Sequence, residues 1–560
     1  MDKPPIVRPW GFPDPLKPLK NQDKAAFKTH LIEHNAHLDI NSPRAPSTLV
    51  STICTIGEKC CEEAVLEQML DAGMKGARFD MKEGESRDHI ILLRKMKNCL
   101  TDLASKHKRV IPVAIIGDIK GPQVLTGKLY KAEKIFLKRG GLITLTTHPG
   151  WDNRGTAEKL YIDHRNLPFI VKPRDRVFLD CGRIELTVRG AVDTDIVCEI
   201  QSDGDIGENR DVFVLNVPFE LPAITEKDKK DLALLVEEGV DAIFASAIIN
   251  KHGVRDVRKA LGEKGRGVLV FTKIENRMAF DNFDEILIES DGIVVNRGKL
   301  GIEMSAERVL QAQKTMIAKA LKDGKPIFAF TDYLNSMIHR NCPTIAESTD
   351  VVNSVIDGLD GIILLDETSK GDDPVIVVKT LTTLAREAEA QLWQWELFRS
   401  LDIISCPPLD PSHAICIAAV MAAMKCHAVG IMVVTTSGKS AQLVARYKPR
   451  CPIFAITRYG SVARQLSLWR GIFSVHYIAA PNPCYARDVD LRIQYGIEIG
   501  KIKGIIAPGE PLVLVNGWRQ GAGFTNNIRL VYVSASDPWV YPHSPAPHGT
   551  YHKIQPDPYP

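Results

Sequence analysis

A lysine and a glutamate stand two residues apart at the end of a strand-like segment, GVLVFTKIE (267–275). Side chains alternate between the two faces of a strand, so Lys273 and Glu275 point to the same side where the segment ends. A lysine beside a carboxylate suits proton transfer, or neutralisation of phosphate charge next to a divalent metal. A structural salt bridge has the same spacing, and the pair alone does not separate these alternatives.

Polar residues also end the strand-like segments that follow. The turn NRGKLG (296–301) comes after one of them, Thr331 closes the next, and Glu367 with Thr368 closes the one after that. A glycine-bearing turn can aim backbone N–H groups at an anion, although a turn that needs glycine dihedrals explains the same letters. Convergence of polar groups from several strand ends indicates a site more strongly than any single motif.

A second group of hydroxyls and one lysine lies far along the chain, in TTSGKS (435–440) between a predicted strand and a predicted helix. Such a segment could hold a phosphate through backbone amides, hydroxyls and the lysine. It is not a P-loop, because that motif needs a glycine where Val433 stands. An ordinary serine-capped helix start is the alternative interpretation.

These positions need a scaffold that brings strand ends together, and the chain from Ser51 onward predicts one. Short β-branched runs alternate with amphipathic helix-like stretches, which is typical of βα units. Eight such runs favour the α/β class and a (β/α)8 TIM barrel, in which the strand ends meet at one mouth. The predicted strands are 51–57, 73–81, 110–118, 241–247, 267–275, 292–298, 326–331 and 361–367.

The βα alternation is interrupted by a strand-rich stretch without a long helical pattern, and it changes after residue 404 to a second α/β pattern. Placed after the third strand, an inserted all-β domain would stand over the barrel mouth as a lid. Both chain ends are rich in proline, and we expect them to be flexible or draped. The predicted units are an N-terminal extension (1–46), the barrel (47–121 and 222–395), the β lid (122–221), a C-terminal α/β domain (396–534) and a proline-rich tail (535–560).

Composition narrows the class of protein. A chain of 560 residues predicts roughly three or four domains. Its 71 basic and 68 acidic residues leave a formal charge of +3, so nothing indicates nucleic acid or a membrane surface as a partner. No apolar run approaches a membrane span, and the start is too polar for a secretory signal. Twelve cysteines are too dilute for a disulfide scaffold, so we expect buried thiols in a cytoplasmic protein.

The motifs, taken in order, closely resemble those of pyruvate kinases from about residue 47 to 534. The resemblance implies a barrel, a β lid and a C-terminal regulatory domain, assembled as a homo- or hetero-tetramer. The most specific stretches are CTIG (54–57), GARFDMKEG (76–84), DIKGPQVLTG (118–127), LPAITEKD (221–228), FTKIEN (271–276), SDGIVVNRGKLGIE (290–303), PTIAESTDVVNSV (343–355), ETSKGDDP (367–374), SGKSAQLVARYKPRCPIFAITR (437–458), DVDLR (488–492) and GWRQGAGFTN (517–526).

By this resemblance, the expected reaction is phosphoryl transfer from phosphoenolpyruvate to ADP, giving pyruvate and ATP, with Mg²⁺ or Mn²⁺ as cofactor. Lys273 would stabilise the phosphoryl group in transfer, and Arg78 would contact the phosphate. Glu275 would bind the divalent metal. The backbone amides of Gly298 and Lys299, together with Thr331, would hold the substrate carboxylate.

Two cation positions depart from the family pattern. Where the family has ARGDLG, with the aspartate as second metal ligand, this chain has Lys299, and an ammonium group cannot ligate magnesium. Either water replaces that ligand or metal binding is badly weakened. The monovalent-cation positions, an asparagine, serine, aspartate and threonine in the family, are here Asp80, Lys82, Asp118 and Ile119. Lys82 could therefore replace K⁺, and a surface lysine without a role is the alternative.

The predicted nucleotide-binding positions match the family pattern less well than the regulatory loop does. Against the family pattern, Glu58 and Glu83 add carboxylates, while Leu125 and Phe213 replace cations, which predicts weaker binding of ADP. The regulatory loop matches better and implies a phosphosugar effector. Its residues would be Thr435, Thr436, Ser437, Gly438, Lys439, Ser440 and Arg492.

Two hypotheses follow from the sequence. The first is a working pyruvate kinase with altered cation requirements. The second is a catalytically impaired paralogue with a structural or hetero-oligomeric role, which the substitution at Lys299 and the nucleotide-side changes favour.

Overall fold

Eight parallel strands close into a barrel, which confirms the predicted (β/α)8 architecture. The computed structural model describes residues 22–82, 85–180, 182–215, 222–331, 333–519, 521 and 523–534. Each predicted segment contains one strand, and the first strand pairs with both the second and the eighth. The barrel strands are Ser51–Thr55, Met74–Asp80, Ala114–Asp118, Ala242–Ala245, Leu269–Ile274, Gly292–Asn296, Ile327–Phe330 and Gly361–Leu364.

The two faces of each barrel strand belong to different cores. In Leu269–Ile274, Val270 and Ile274 pack outward with the helices, whereas Phe271 lies in the barrel interior. The Phe271 ring stacks on that of Phe328, with 5.2 Å between centroids. Because side chains repeat every two residues, Lys273 lies on the same inward face as Phe271, one level closer to the mouth.

Two helices of the barrel begin with a capping box, in which side chains satisfy the first backbone N–H groups. Thr225 and Asp228 form a capping box, and so do Thr344 and Glu347. The α-helices packed around the barrel are Glu63–Ala72, Ser86–His107, Glu226–Glu237, Lys251–Leu261, Arg277–Asp281, Phe283–Glu289, Arg297–Glu303, Ala306–Asp323, Ile345–Asp357, Asp366–Ser369 and Pro374–Ala390. Short 3₁₀ turns occur at Lys59–Cys61, Glu263–Gly265 and Asn335–Ile338.

The stretch inserted after the third barrel strand is a β structure, as predicted. It has its own apolar core and contains a six-stranded and a two-stranded sheet. In spatial order, the larger sheet holds Val212–Val214, Arg176–Leu179, Ile184–Val192, Asp195–Ile200, Leu142–Thr146 and Lys159–Tyr161. The smaller sheet pairs Lys134–Leu137 with Gly204–Gly207, and the insert also holds the short helices Leu167–Ile170 and Pro149–Trp151.

The C-terminal domain is a five-stranded sheet covered by helices, which confirms the second α/β unit. The sequence analysis missed the edge strand Ile472–His476, because half-buried residues interrupt its apolar run, whereas the neighbouring strand is fully buried. In spatial order the strands are Ile472–His476, Ile453–Thr457, Gly430–Val434, Pro511–Gly517 and Thr525–Tyr532, the last antiparallel. The helices are Gln394–Ile404, Pro411–Lys425, Lys439–Arg446, Gly460–Leu466 and Tyr485–Ile502.

Two buried ion pairs join the C-terminal domain to the amino-terminal ends of the barrel strands. Arg464 Nε donates to both oxygens of Asp241 at 3.0 Å, and Lys448 Nζ lies 2.6 Å from Asp360 Oδ1. Each aspartate directly precedes a barrel strand and also accepts a backbone N–H of a neighbouring strand. The interface therefore lies at the end of the barrel opposite the mouth.

The N-terminal extension is described from residue 22 and forms two short helices, Asp23–Ala26 and Leu31–Ala36. His34 is buried, and its ring nitrogens lie 2.9 Å from the carbonyl oxygens of Ala25 and Gln391, so this part drapes over the barrel. Residues 1–21, Glu83 and the tail from 535 lie outside the described residues. Within the described ranges, no helix combines the length and apolar character needed to cross a bilayer.

Candidate active site

Arg78 is bonded to three side chains at the barrel mouth. It stands on the second strand and is 3% exposed. Its guanidinium donates to Asp118 Oδ2 (2.7 Å), Asp80 Oδ2 (2.6 Å) and Thr55 Oγ1 (2.9 Å). Three acceptors from three neighbouring strands hold the guanidinium in one orientation, which is the pre-organisation that recognition of a phosphate needs.

Lys273 is fully buried beside Arg78. Its ammonium forms an ion pair with Asp118, donates to Ser246 Oγ at 3.1 Å and lies 5.5 Å from the centre of the Phe330 ring. Burial lowers the pKa of Lys273 to about 8, although Asp118 acts in the opposite direction. The Lys273 ammonium group therefore loses its proton more readily than that of a free lysine.

Glu275 lies at the mouth with both carboxylate oxygens engaged. Oε1 accepts from Asn296 Nδ2 at 2.8 Å, and Oε2 accepts from the Ala247 N–H at 3.0 Å. Lys299 Nζ lies 3.5 Å from Oε1. Burial would raise the pKa of Glu275, but Lys299 and Lys82 outweigh burial and hold that pKa well below its usual range.

The donor set around Glu275 does not fit a divalent cation held by two protein carboxylates. Lys299 occupies the position that the sequence analysis assigned to the second ligand, and an ammonium group has no lone pair to offer. Across the ranges that the structure describes, no group of three or more histidine, cysteine, aspartate or glutamate side chains is placed to hold a metal ion. The role of Glu275 as a metal ligand stays a prediction.

The residues predicted for the monovalent-cation site lie close together at the ends of the second and third strands. Asp80 and Asp118 are paired across these strands, and the Lys82 backbone N–H donates to Asp80 Oδ1 at 3.1 Å. Burial would lower the pKa of Lys82, but Asp118, Glu275 and Asp80 outweigh burial and raise it. Ile119 is buried and offers no polar side chain. These three carboxylates therefore favour the ammonium form of Lys82.

Among the seven described side chains Arg78, Asp80, Lys82, Asp118, Lys273, Glu275 and Lys299, the charges do not cancel. Four cations stand against three carboxylates, which leaves a formal charge of +1. A site of this sign attracts an anionic ligand. We call this group the barrel-mouth cluster, and it consists of Arg78, Asp80, Lys82, Asp118, Lys273, Glu275 and Lys299.

Thr331 has a strained backbone at the end of the seventh strand. Its φ is 92°, a left-handed value that a β-branched residue rarely adopts. Its carbonyl accepts from Arg297 Nη2 at 2.7 Å, and its hydroxyl donates to Asn296 Oδ1 at 3.2 Å. Arg297 is itself held by Asp350 at 2.8 Å. These contacts together therefore fix the position of the Thr331 hydroxyl.

Gly298 allows the turn after the sixth strand to approach Thr331. A Cβ at position 298 would lie 2.7 Å from Thr331 Cγ2. We expect Gly298→Ala to displace Thr331 and to raise the KM for the substrate about tenfold, an effect worth about 1.4 kcal/mol. Steady-state kinetics measure this change.

The matched control for that variant is Gly301→Ala in the same helix. There the nearest atom to a new Cβ is Val309 Cγ2 at 4.0 Å, so no neighbour has to move. Equal KM values for the two alanine variants would contradict the importance of this close approach.

The nucleotide-side positions lie on both the barrel and the β insert. Glu58 is exposed and Leu125 half-buried, with the Leu125 N–H donating to Asp163 Oδ1 at 2.6 Å. Phe213 lies in the strand Val212–Val214, and its ring centre is 5.8 Å from the Lys299 ammonium. Glu83 is outside the described residues. Phe213 thus joins the insert to the barrel-mouth cluster, and its effect on nucleotide binding stays a prediction.

The predicted effector residues occupy two places in the C-terminal domain. Gly438 has a φ of 86° and donates its N–H to Thr435 Oγ1 at 3.0 Å, so the loop folds on itself before helix Lys439–Arg446. Ser440 Oγ lies 2.6 Å from Thr525 Oγ1. Thr436, Ser437 and Lys439 complete the loop.

Arg492 lies in a separate arginine and carboxylate group. It forms an ion pair with Asp488, which also accepts from Arg458 at 2.7 and 2.9 Å. Among the described residues, no hydrogen bond or ion pair joins Arg492 to the loop at 435–440. Phosphate binding at either place stays a prediction.

Comparison with known proteins agrees with this architecture. A family model described as pyruvate kinase, barrel domain, matches residues 48–378, and one described as pyruvate kinase, alpha/beta domain, matches residues 413–531. Human pyruvate kinase PKLR is 39% identical over 517 residues, which cover 92% of this chain and 90% of that protein. The chain belongs to the pyruvate kinase family.

Distant members of the pyruvate kinase family match over nearly the same length. Pyruvate kinase of Leishmania mexicana is 34% identical over 503 residues, which cover 90% of this chain and 99% of that protein. Pyruvate kinase of Schizosaccharomyces pombe is 35% identical over 498 residues, with 89% and 96% covered. The resemblance inferred from the motifs is confirmed, and with it a pyruvate kinase-like glycolytic phosphotransferase.

The sequence analysis did not assign three polar groups of this candidate site. The Asn296 side chain contacts Glu275, the Lys299 N–H and the Thr331 hydroxyl, and so connects three predicted site residues. Ser246 accepts from Lys273, and Thr55 accepts from Arg78. Each follows or ends a barrel strand, so a polar residue at a strand end was the available signal.

Proposed function

We propose that this chain transfers the phosphoryl group of phosphoenolpyruvate to ADP and that protonation of the resulting enolate gives pyruvate and ATP. The observation that carries the proposal is the buried arrangement of Arg78 and Lys273 around the shared carboxylate of Asp118. Positioning and charge neutralisation supply most of the catalysis in phosphoryl transfer, and both cations are oriented for it.

We assign the following roles to the individual residues. The Arg78 guanidinium and the Lys273 ammonium face the phosphate and neutralise its charge as the O–P bond to the enolate breaks. To orient the substrate carboxylate beside the Gly298 N–H, the Thr331 hydroxyl and the Lys299 N–H would exchange their present acceptor, Asn296 Oδ1, for the carboxylate. The transferred group forms a new O–P bond with the terminal phosphate of ADP, which enters as its Mg²⁺ or Mn²⁺ complex.

We further propose that Lys82 replaces a bound K⁺ ion. Its ammonium is kept charged by Asp118, Glu275 and Asp80, which are oxygen donors of the kind that would surround a monovalent cation. Turnover in potassium-free buffer is therefore expected for the unmodified chain.

The Lys82→Ser variant tests this replacement. Without its ammonium we expect kcat to fall about tenfold or more in potassium-free buffer and to recover when KCl is added, since about 1.4 kcal/mol of lost charge stabilisation is enough for tenfold. A coupled assay of pyruvate production measures both. Lys259→Ser, at a side chain that is 79% exposed, is the control and should match the unmodified chain.

The same assay separates the two hypotheses of the sequence analysis. A potassium requirement of the unmodified chain would contradict the role of Lys82. Absence of any turnover, with phosphoenolpyruvate, ADP and either Mg²⁺ or Mn²⁺, would contradict the proposed function and favour a non-catalytic, hetero-oligomeric role.

Assembly, regulation and location complete the proposal. We propose a homo- or hetero-tetramer with a phosphosugar effector bound at the loop 435–440, supported by family membership and by the backbone fold of that loop. A cytoplasmic location is supported by the described cysteines, which are free thiols, as expected in a reducing compartment.

A further inference from the structure

We propose that Lys299 is the resident cation of the substrate site, so that the anionic substrate binds against a protein ammonium group without a divalent metal ion held by the protein. The inference rests on the proposed function and specifies how that site binds its substrate. The family pattern implies a metal site with two carboxylate ligands at the barrel mouth, but here one of those positions is Lys299.

The Lys299 ammonium is held from two sides. Its distance to Glu275 Oε1 is 3.5 Å, and its distance to the centre of the Phe213 ring is 5.8 Å. The lysine side chain is only 11% exposed. A carboxylate of the barrel and an aromatic face of the β insert therefore place one cation at the entrance of the site.

Both oxygens of Glu275 already have partners in this arrangement. Asn296 and the Ala247 N–H already donate to its two oxygens, and Lys299 lies against the first of them. A divalent cation on Oε1 would stand within a few ångströms of an ammonium group, and two cations at that separation repel strongly in a partly dry site. The carboxylate thus serves as the counter-ion of Lys299.

The net charge of the barrel-mouth cluster also favours an anion over a further cation. The cluster already carries a formal charge of +1 before any ligand binds. A further divalent cation would add to this excess, whereas an anion with phosphate and carboxylate groups reduces it. The chemistry of the site therefore selects the anion directly.

Magnesium is needed for the nucleotide but not for the binding of phosphoenolpyruvate. The nucleotide brings its own metal ion as part of the substrate, and that ion is needed for turnover. The binding of phosphoenolpyruvate alone needs no metal ion, because Lys299 supplies the positive charge. These two events can be measured independently.

Calorimetric titration of phosphoenolpyruvate into the full chain tests the inference. We expect the Kd in EDTA to lie within about threefold of the Kd in MgCl₂, because the ammonium group is present in both buffers. Lys299→Gln should weaken binding in EDTA about 10- to 100-fold, the loss expected for one charge-assisted contact. Lys299→Arg should retain binding, and Lys259→Gln is the exposed control.

Lys299→Asp tests the reverse arrangement, a site with two carboxylates that needs a metal ion. A second carboxylate beside Glu275 should abolish binding in EDTA and restore it in MgCl₂, which also shows that this variant is folded. The inference is overturned if the unmodified chain binds phosphoenolpyruvate only with MgCl₂, if it binds in neither buffer, or if Lys299→Gln binds as tightly as the unmodified chain in EDTA.

Failure of this inference is distinguishable from failure of the proposed function. Metal-independent binding without turnover, when ADP and MgCl₂ are supplied, supports the role of Lys299 and refutes phosphoryl transfer. Turnover accompanied by strictly Mg²⁺-dependent binding of phosphoenolpyruvate gives the reverse result.

Discussion

Lys273→Met is expected to lower kcat by about three orders of magnitude or more while leaving the chain folded. The substitution keeps the length and most of the volume of a fully buried side chain and removes only its ammonium group. Loss of one preorganised donor at a developing charge costs about 10²–10³ in kcat, and a full positive charge on a phosphoryl group is worth more. Asp118 keeps its bonds to Arg78, so the carboxylate is not left unpaired.

Single-turnover and steady-state assays of pyruvate formation measure this loss. Lys259→Met, at a 79% exposed position, is the matched control and should show unchanged kinetics. A decrease of less than tenfold for Lys273→Met would mean that the ammonium group only balances the charge of Asp118. Circular dichroism melts of both variants exclude unfolding as the cause.

Arg464→Met is expected to lower the free energy of unfolding by about 3–5 kcal/mol, the loss typical of breaking a buried ion pair from one side. The guanidinium joins the C-terminal domain to the base of the barrel, where Asp241 is 2% exposed. Without Arg464, the Asp241 carboxylate still accepts from the Ile115 N–H at 2.9 Å. Urea unfolding followed by tryptophan fluorescence measures the change.

The exposed ion pair between Arg529 and Asp490 is the control for this experiment. It has a similar N–O distance, 3.0 Å, but its side chains are 40% and 55% exposed. Solvent screens such a pair, so Arg529→Met should cost less than about 1 kcal/mol. Equal losses for the two variants would contradict a special contribution from burial at the domain interface.

The pH dependence of the Arg464→Met defect has a definite sign. Burial already raises the pKa of Asp241 with Arg464 present, and removal of the guanidinium raises it further. A carboxyl group whose pKa is higher in the folded than in the unfolded chain loses stability as the pH rises through the folded pKa. The variant should therefore be closest to the unmodified chain at acidic pH, and a defect that is smallest at alkaline pH would be inconsistent with this account.

Much of the fold could be predicted because its signals are local. The barrel strands are continuous runs of β-branched and apolar residues separated by amphipathic helices, and each buried face repeats with the period of its element. The edge strand Ile472–His476 was missed for the same reason. Its outward residues are half-buried, so no uninterrupted apolar run marks it.

The candidate site was predictable only in part. Lys273 and Glu275 share one face of a strand, and that relation is a property of spacing alone. The contacts of Asn296 with Glu275 and Thr331 depend on how three strands are staggered around the barrel. No local pattern encodes that stagger.

The sequence by itself determined the family, the barrel, and the list of positions that depart from the family pattern, because residue identity and periodicity are written along the chain. Only the tertiary structure decided what those departures do together. It placed Lys299 against Glu275 and beside the Phe213 ring, which comes from a strand 86 positions earlier in the numbering. Electrostatic energy depends on distance in space, so the net charge of the barrel-mouth cluster exists only once the chain is folded.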